Sequence, residues 1–233
     1  MAPITPPANW AASDPMAELA LTLGTLLKWA GWLAAPAFLL PFLVLLRPGL
    51  AAPIGAGLVR ALDQVSGAAL RVAAACAVLI LVSQMAVVIA RYVFGLSFSW
   101  LDETVVYAYA ALFLLAAAPT LRDDEHVRVD ILRPRFGPRL RAAIELAGVY
   151  LFIVPIAVLV FWSAISPSFV QSWARFEGSR ESDGLPILFL FRTLIPVFAT
   201  LLMAQGLSQA IKAALILTGR RAPEALHAQG GGA

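Results

Sequence analysis

Four uncharged apolar runs, Val72 to Ala90, Thr104 to Leu121, Leu146 to Ile165 and Thr193 to Ile211, constrain this chain more than any other feature. Each is as long as the about 18–20 residues that a helix needs to cross a hydrocarbon core of ~30 Å. In lipid the backbone must satisfy its own hydrogen bonds, and unbroken runs of this length do so as helices. Only 13% of the residues are charged, about half the share of a soluble domain. The fold class that follows is an all-α integral membrane protein with a four-helix transmembrane core.

A further run, Trp29 to Leu46, also carries no charge but contains Pro36 and Pro41, which remove backbone donors and kink helices. It reads as an extra N-terminal transmembrane helix. A cleaved signal peptide fits poorly, because Asp14 and Glu18 stand where basic residues belong and "PGLAAP" is a weak cleavage site. An interfacial or re-entrant segment is the other reading of this run.

Basic residues accumulate on the cytoplasmic side of membrane proteins. The segment Arg47 to Arg71 holds three arginines, the segment Arg122 to Arg141 holds six, and Lys212, Arg220 and Arg221 follow the last run. The alternate segments are poorer. Arg91 to Glu103 has one arginine against two acids, and Ser166 to Pro186 has Arg175 and Arg180 against Glu177, Glu181 and Asp183. The alternation places the N-terminus outside and the C-terminus inside, in a bacterial inner membrane if the cell is Gram-negative. Three regions follow: residues 1–70, an extension with the extra span at 29–46 and a linker; residues 71–215, the four-span core; and residues 216–233, a flexible tail. In the linker Leu58, Leu62 and Val65 recur at helical spacing, which predicts a short amphipathic helix on the cytoplasmic surface. The N-terminal stretch "MAPITPPANW" also reads as flexible.

Reactive groups are scarce. The single cysteine, Cys76, permits no intrachain disulfide and no CxxC motif. His126 and His227 are the only histidines and both lie outside the runs, so a bis-histidine haem finds no ligands. Ser83 and Ser163 have no neighbouring base and read as hydroxyls bonded to the backbone one turn back. "GAGLVR" at Gly55 lacks the lysine of a phosphate-binding loop. Asp123, Asp124, Glu125 and His126 have the ligand types for a divalent cation, but adjacent acids in an arginine-rich loop more often form a solvated, self-neutralised surface. These absences predict a protein that is not an enzyme and holds no cofactor or metal, and the loop distribution of basic charge gives no reason to expect nucleic acid.

What remains is charge at the ends of the runs. Arg91 ends the first, Asp102 and Glu103 open the second, and Arg192 precedes the last from the same side. An arginine in lipid snorkels or pairs, and Glu103 and Asp102 are the natural partners of Arg192. A local reading stands beside this: Ser99 caps the second helix, the acids suit its positive end, and Trp100 suits the membrane interface. Glu103, Tyr107, Ala110 and Leu114 share a face suited to close packing with another helix.

The order of these segments resembles the small permease (DctQ-type) subunit of tripartite ATP-independent periplasmic, or TRAP, transporters. The resemblance runs from about residue 70 to 215 and rests on "RYVFGLSFSWLDE", "LRDDEHVRVDIL", "ESDGLPILFLFRTLIP" and "LLMAQGLSQAI" in that order. Arg91, Gly95, Trp100, Asp102 and Glu103 match the family's first pattern, with Asp102 where glutamate is commoner. His126, Val129 and Asp130 match its cytoplasmic motif, and Gly184, Leu185, Pro186, Arg192 and Pro196 match its entry to the last span. The extension through about residue 70 departs from the core pattern.

The resemblance implies a non-catalytic subunit of a secondary transporter. Its partners would be a large permease subunit, a periplasmic solute-binding protein and the surrounding membrane lipid, and the complex would take up an organic acid on an ion gradient. The chain shows neither broken-helix repeats nor a midplane polar cluster of the kind a transporter's own substrate site requires. Arg91, Trp100, Asp102, Glu103 and Arg192 would then serve assembly, and Trp173, Phe176 and Glu181 would help dock the binding protein. A helix lying at the interface is the alternative for Trp173 and Phe176. Two further functions compete: the membrane anchor of a respiratory oxidoreductase, against which the absence of histidine in the runs counts, and a stand-alone small carrier.

Overall fold

The computed structural model describes residues 18, 22, 24–26, 29, 35–123 and 136–220. The N-terminal stretch 1–10, residues 221–233 of the expected tail, the His126 and Asp130 motif, and the acids Asp124 and Glu125 lie outside the described residues, while residues 216 and 217 of the expected tail complete the last helix. Among the described residues every regular element is a helix.

Among the described residues four helices are long and apolar enough to cross a membrane: α2, Pro48–Val93; α3, Ser99–Asp123; α4, Pro138–Ala164; and α6, Leu188–Leu217. They are preceded by a short apolar helix, α1, Ala35–Leu46, and α5, Pro167–Ala174, lies between α4 and α6. The predicted runs fall within the four long helices, apart from the last residue of the third. Their large side chains are mostly open at the surface, among them Leu81 at 67%, Phe113 at 69% and Leu159 at 68% exposure. Such exposure suits hydrocarbon and not water.

Of the predicted span 29–46, Trp29, which is helical, and α1 are described. α1 begins as a tight turn over Ala35–Leu39 and continues as α-helix over Leu40–Leu46. Pro36 and Pro41 stand near the start of each piece, where a missing amide costs little. The linker differs from expectation. It is helical, but it forms no separate surface helix, because α2 runs unbroken for 46 residues, about 70 Å at ~1.5 Å per residue. Between Pro53 and Val93 no proline interrupts the ladder, and the alanine-rich sequence carries the helix directly into the apolar run.

In α4 the residues Val149–Ile153 form a π-helical turn, closed by the Val154 N–H donating to the Val149 carbonyl. Pro155 follows at once and has no N–H to offer the preceding turn. The wider π turn gives its ring room against that turn's carbonyls. The Ser163 hydroxyl donates to the Val160 carbonyl at 3.0 Å, as expected of a serine in an apolar run.

The chain forms two compact units. The first draws on Val72–Leu114 and Val160–Val197. It packs Ile165, Phe169 and Val170 against Phe161, Trp173 and Ala174, and stacks Tyr107 on Phe191 at 4.6 Å between ring centroids. The second contains, in its described parts, residues 35–71, 115–123, 136–159 and 198–220. Its core sets Val44, Ala51, Ala52 and Val59 against Leu207, Ile211, Ala214 and Leu215. Small residues set the closeness of approach: a Cβ on Gly55 would lie 3.0 Å from the Ile211 side chain. Tyr150 adds a hydroxyl that donates to the Phe38 carbonyl, with its ring 5.0 Å from that of Phe42.

Candidate functional site

In the first unit the loop between α5 and α6 folds around a carboxylate of α3. Glu103 accepts the Leu185 N–H at Oε2, 2.7 Å, and the Ser179 hydroxyl at Oε1. The loop closes on itself where Ser179 N–H donates to the Leu185 carbonyl at 3.0 Å and Gly184 N–H to that of Glu181 at 3.3 Å. Gly184 permits this. A Cβ there would fall on the Ser179 side chain and lie 2.9 Å from Glu103 Oε1. "SDGLP" is therefore shaped to wrap a carboxylate.

A second strand of the latch comes from Asp183, whose Oδ2 accepts the Ser99 N–H at 2.9 Å. The expected cap is thus reversed. Ser99 is the first residue of α3, and the side chain at its amide is that of Asp183, 84 positions away. Hydrogen bonds from the Ser99 backbone and side chain hold the Asp183 carboxyl below its ordinary value of 3.8. A depressed carboxylate stabilises above its unfolded pKa and loses that contribution as pH falls through the folded one. Protection of the Ser99 amide, the slowing of its exchange relative to the intrinsic rate at the same pH, is therefore expected to hold from neutrality to about pH 5 and to fall below about pH 4. In Asp183→Asn the amide should exchange faster at neutral pH, without that acid step.

The five residues grouped from the sequence divide into separate contacts. Arg91 meets Asp102 at 3.2 Å and Ser97 Oγ at 3.4 Å, across a turn in which Gly95 takes φ of 67°. With side chains 51% and 46% exposed, this pair contributes little energy and mainly shapes the turn. Trp100 is 44% exposed and tilts against Phe98 at 6.1 Å. The carboxylate found on Arg192 is that of Glu177, at 3.0 Å, where the sequence suggested Glu103 or Asp102. Glu177 belongs to the same loop that Glu103 holds, and its carbonyl accepts the Phe189 N–H at 3.2 Å.

The three aromatic and acidic docking candidates are not equivalent. Trp173 is turned inward, its Nε1–H donating to Thr193 Oγ1 at 3.0 Å and its ring edge-on to Phe189 at 4.9 Å. Phe176 is 54% exposed and has a left-handed backbone, φ 47°. It ends α5 as glycine usually does, with Glu177 N–H donating to the Ser172 carbonyl and Phe176 N–H to that of Trp173. Gly219 ends α6 in the same manner at φ 69°. Glu181 is exposed, and its N–H donates to Ser179 Oγ at 3.1 Å.

The second unit holds a polar network that the sequence reading did not expect. Lys212 Nζ lies 2.9 Å from Asp63 Oδ2 and 3.0 Å from Oδ1, with the two side chains 3% and 9% exposed. Asp63 Oδ1 also accepts from Ser208 at 2.7 Å and from Gln205 at 3.3 Å, and Ser66 donates to Gln205 Oε1 at 2.6 Å. Lys212, which directly follows the last apolar run, lies within α6. The signal was spacing. Asp63 and Ser66 stand three apart on α2, and Gln205, Ser208 and Lys212 share one stripe of α6. The network is internally satisfied, which makes it a lock between two helices.

These features define a multi-pass helical membrane protein whose polar groups mostly hold helices and a loop in place. A family model described as Tripartite ATP-independent periplasmic transporters, DctQ component, matches residues 80–215, more than half of the chain. The chain belongs to that family and is a small permease subunit of a TRAP transporter, a transport component. No curated protein and no solved structure gave a significant match. The family match begins inside α2, so Asp63 and Ser66 lie before it and their partners on α6 lie within it.

Proposed function

We propose that this subunit acts as a scaffold for a large permease subunit, which moves an organic acid or related solute on an ion gradient after delivery by a periplasmic binding protein. The observation that carries the reading is the loop 177–185 folded on Glu103 and the Ser99 amide. Three anchors, at Glu103, Ser99 and Arg192, hold it, and a loop so held presents a fixed surface to a partner. The proposed setting is the bacterial inner membrane, with this loop periplasmic, the C-terminus cytoplasmic and residues 29–46 as an added span before the 71–215 core. Phe176 and Glu181, exposed on the held loop, are the proposed contacts for the binding protein, with Trp173 supporting them from beneath. The His126 and Asp130 motif is proposed to face the cytoplasm.

Co-expression with the large subunit tests the reading. Copurification and solute uptake are both expected to fall several-fold in Glu103→Ala and in Arg192→Ala. Ser99→Ala keeps the backbone amide that Asp183 accepts, so it should do little. Unchanged copurification and uptake in both charge variants would leave these residues as local punctuation.

A further inference from the structure

The second unit contains an open-sided cavity of about 610 Å³ lined by Arg60, Asp63, Gln64, Gly67, Arg71 and Arg122. Five of the six lie on α2 at positions that return to one face every three or four residues, and Arg122 closes the cavity from the end of α3. Arg122 is held there: it grips Asp123 through two hydrogen bonds of 2.7 and 2.8 Å and donates to the Asp63 carbonyl at 3.2 Å. Gly67 makes the approach possible, since a Cβ there would stand 3.2 Å from the Arg122 guanidinium.

The charge balance of this cavity is one-sided. Asp63 is the only acid among the described lining residues, and that carboxylate is committed to Lys212, Ser208 and Gln205. Arg60 and Arg71 are exposed and pair with no carboxylate among the described residues. Two uncompensated guanidiniums, with the Gln64 amide between them, select an anion with several oxygens, which a phosphate offers and a lone carboxylate does not. Directly after Arg71 the helix enters the apolar run of a candidate span, the level at which lipid phosphates lie.

We propose that Arg60 and Arg71, in the cavity whose end Arg122 closes, form a binding site for an anionic phosphate ester, the headgroup of an anionic phosphoglycerol lipid or a soluble phosphate of the same chemistry. The proposal is independent of the transport partners.

Native mass spectrometry of the full chain in detergent tests it, using phosphatidylglycerol, phosphatidylcholine of the same acyl chains, and sn-glycerol 3-phosphate as competitor. Phosphatidylglycerol adducts are expected to survive delipidation that strips phosphatidylcholine. The variant Arg60→Gln/Arg71→Gln removes both guanidiniums and should weaken them by more than about ten-fold, the loss that one charge-assisted contact alone would give. Arg139→Gln/Arg220→Gln removes the same charge from exposed positions elsewhere and should keep them. Displacement by glycerol phosphate identifies the phosphate itself as the ligand. Retention against it identifies the intact lipid, and either result supports the site. Equal retention of the two lipids, or equal loss in both double variants with helix content unchanged, would overturn it.

Discussion

Replacing Lys212 with methionine is expected to destabilise the subunit by about 3–5 kcal/mol, the cost of leaving a buried charge without its partner. The variant keeps the apolar stem and removes only the ammonium, so Asp63, 8% exposed, would be left with two neutral donors. Asp63→Asn in the same background removes the stranded charge while retaining an oxygen for Ser208 and Gln205. The double variant should therefore recover most of the loss, to within about 1 kcal/mol of the parent. Thermal unfolding in detergent, followed by helix content, reads both values. Equal stability of all three proteins would show that the pair is not buried as described.

The second large effect is expected at Gly184. Alanine adds one carbon where the Ser179 side chain already stands, 2.9 Å from Glu103 Oε1, and neither neighbour can retreat without breaking a hydrogen bond. Gly184→Ala should open the loop as thoroughly as removing Glu103. Protease sensitivity between Glu177 and Pro186 should rise about ten-fold or more, since losing even one charge-assisted bond of about 1.5 kcal/mol has that effect on an opening equilibrium. Gly178→Ala is the milder comparison, its Cβ meeting Pro186 Cα at 3.3 Å. If Gly184→Ala left the loop protected, the account of the latch would fail.

The helices were legible because lipid makes a simple demand. A run of about 20 apolar residues must be helical, and no packing detail alters that. Val72–Ala90 and Thr104–Leu121 therefore appear inside α2 and α3. The same rule hid the continuity of α2, because Arg47, Arg60 and Arg71 marked a loop by charge while the alanine-rich backbone continued as helix. Glu103 and Arg192 stood out by being charged at the edge of apolar runs. Their contacts did not, because the partners Ser179, Leu185 and Glu177 are fixed by the path of a loop and not by any period. Asp183 at the Ser99 amide bridges 84 positions, a separation no local capping rule spans. The burial of Lys212 is hidden for the opposite reason: its place after an apolar run marks a helix end by charge, whereas Asp63 on α2 makes its burial possible.

The central claim, that this chain scaffolds a transporter and does not itself transport, is tested most directly in proteoliposomes. The large permease subunit and the solute-binding protein would be reconstituted with and without this chain, and solute uptake followed on an imposed ion gradient. Uptake is expected only when all three are present, and this chain alone should move nothing above the protein-free background. Gradient-driven uptake by this chain alone, or full activity of the large subunit without it, would contradict the account.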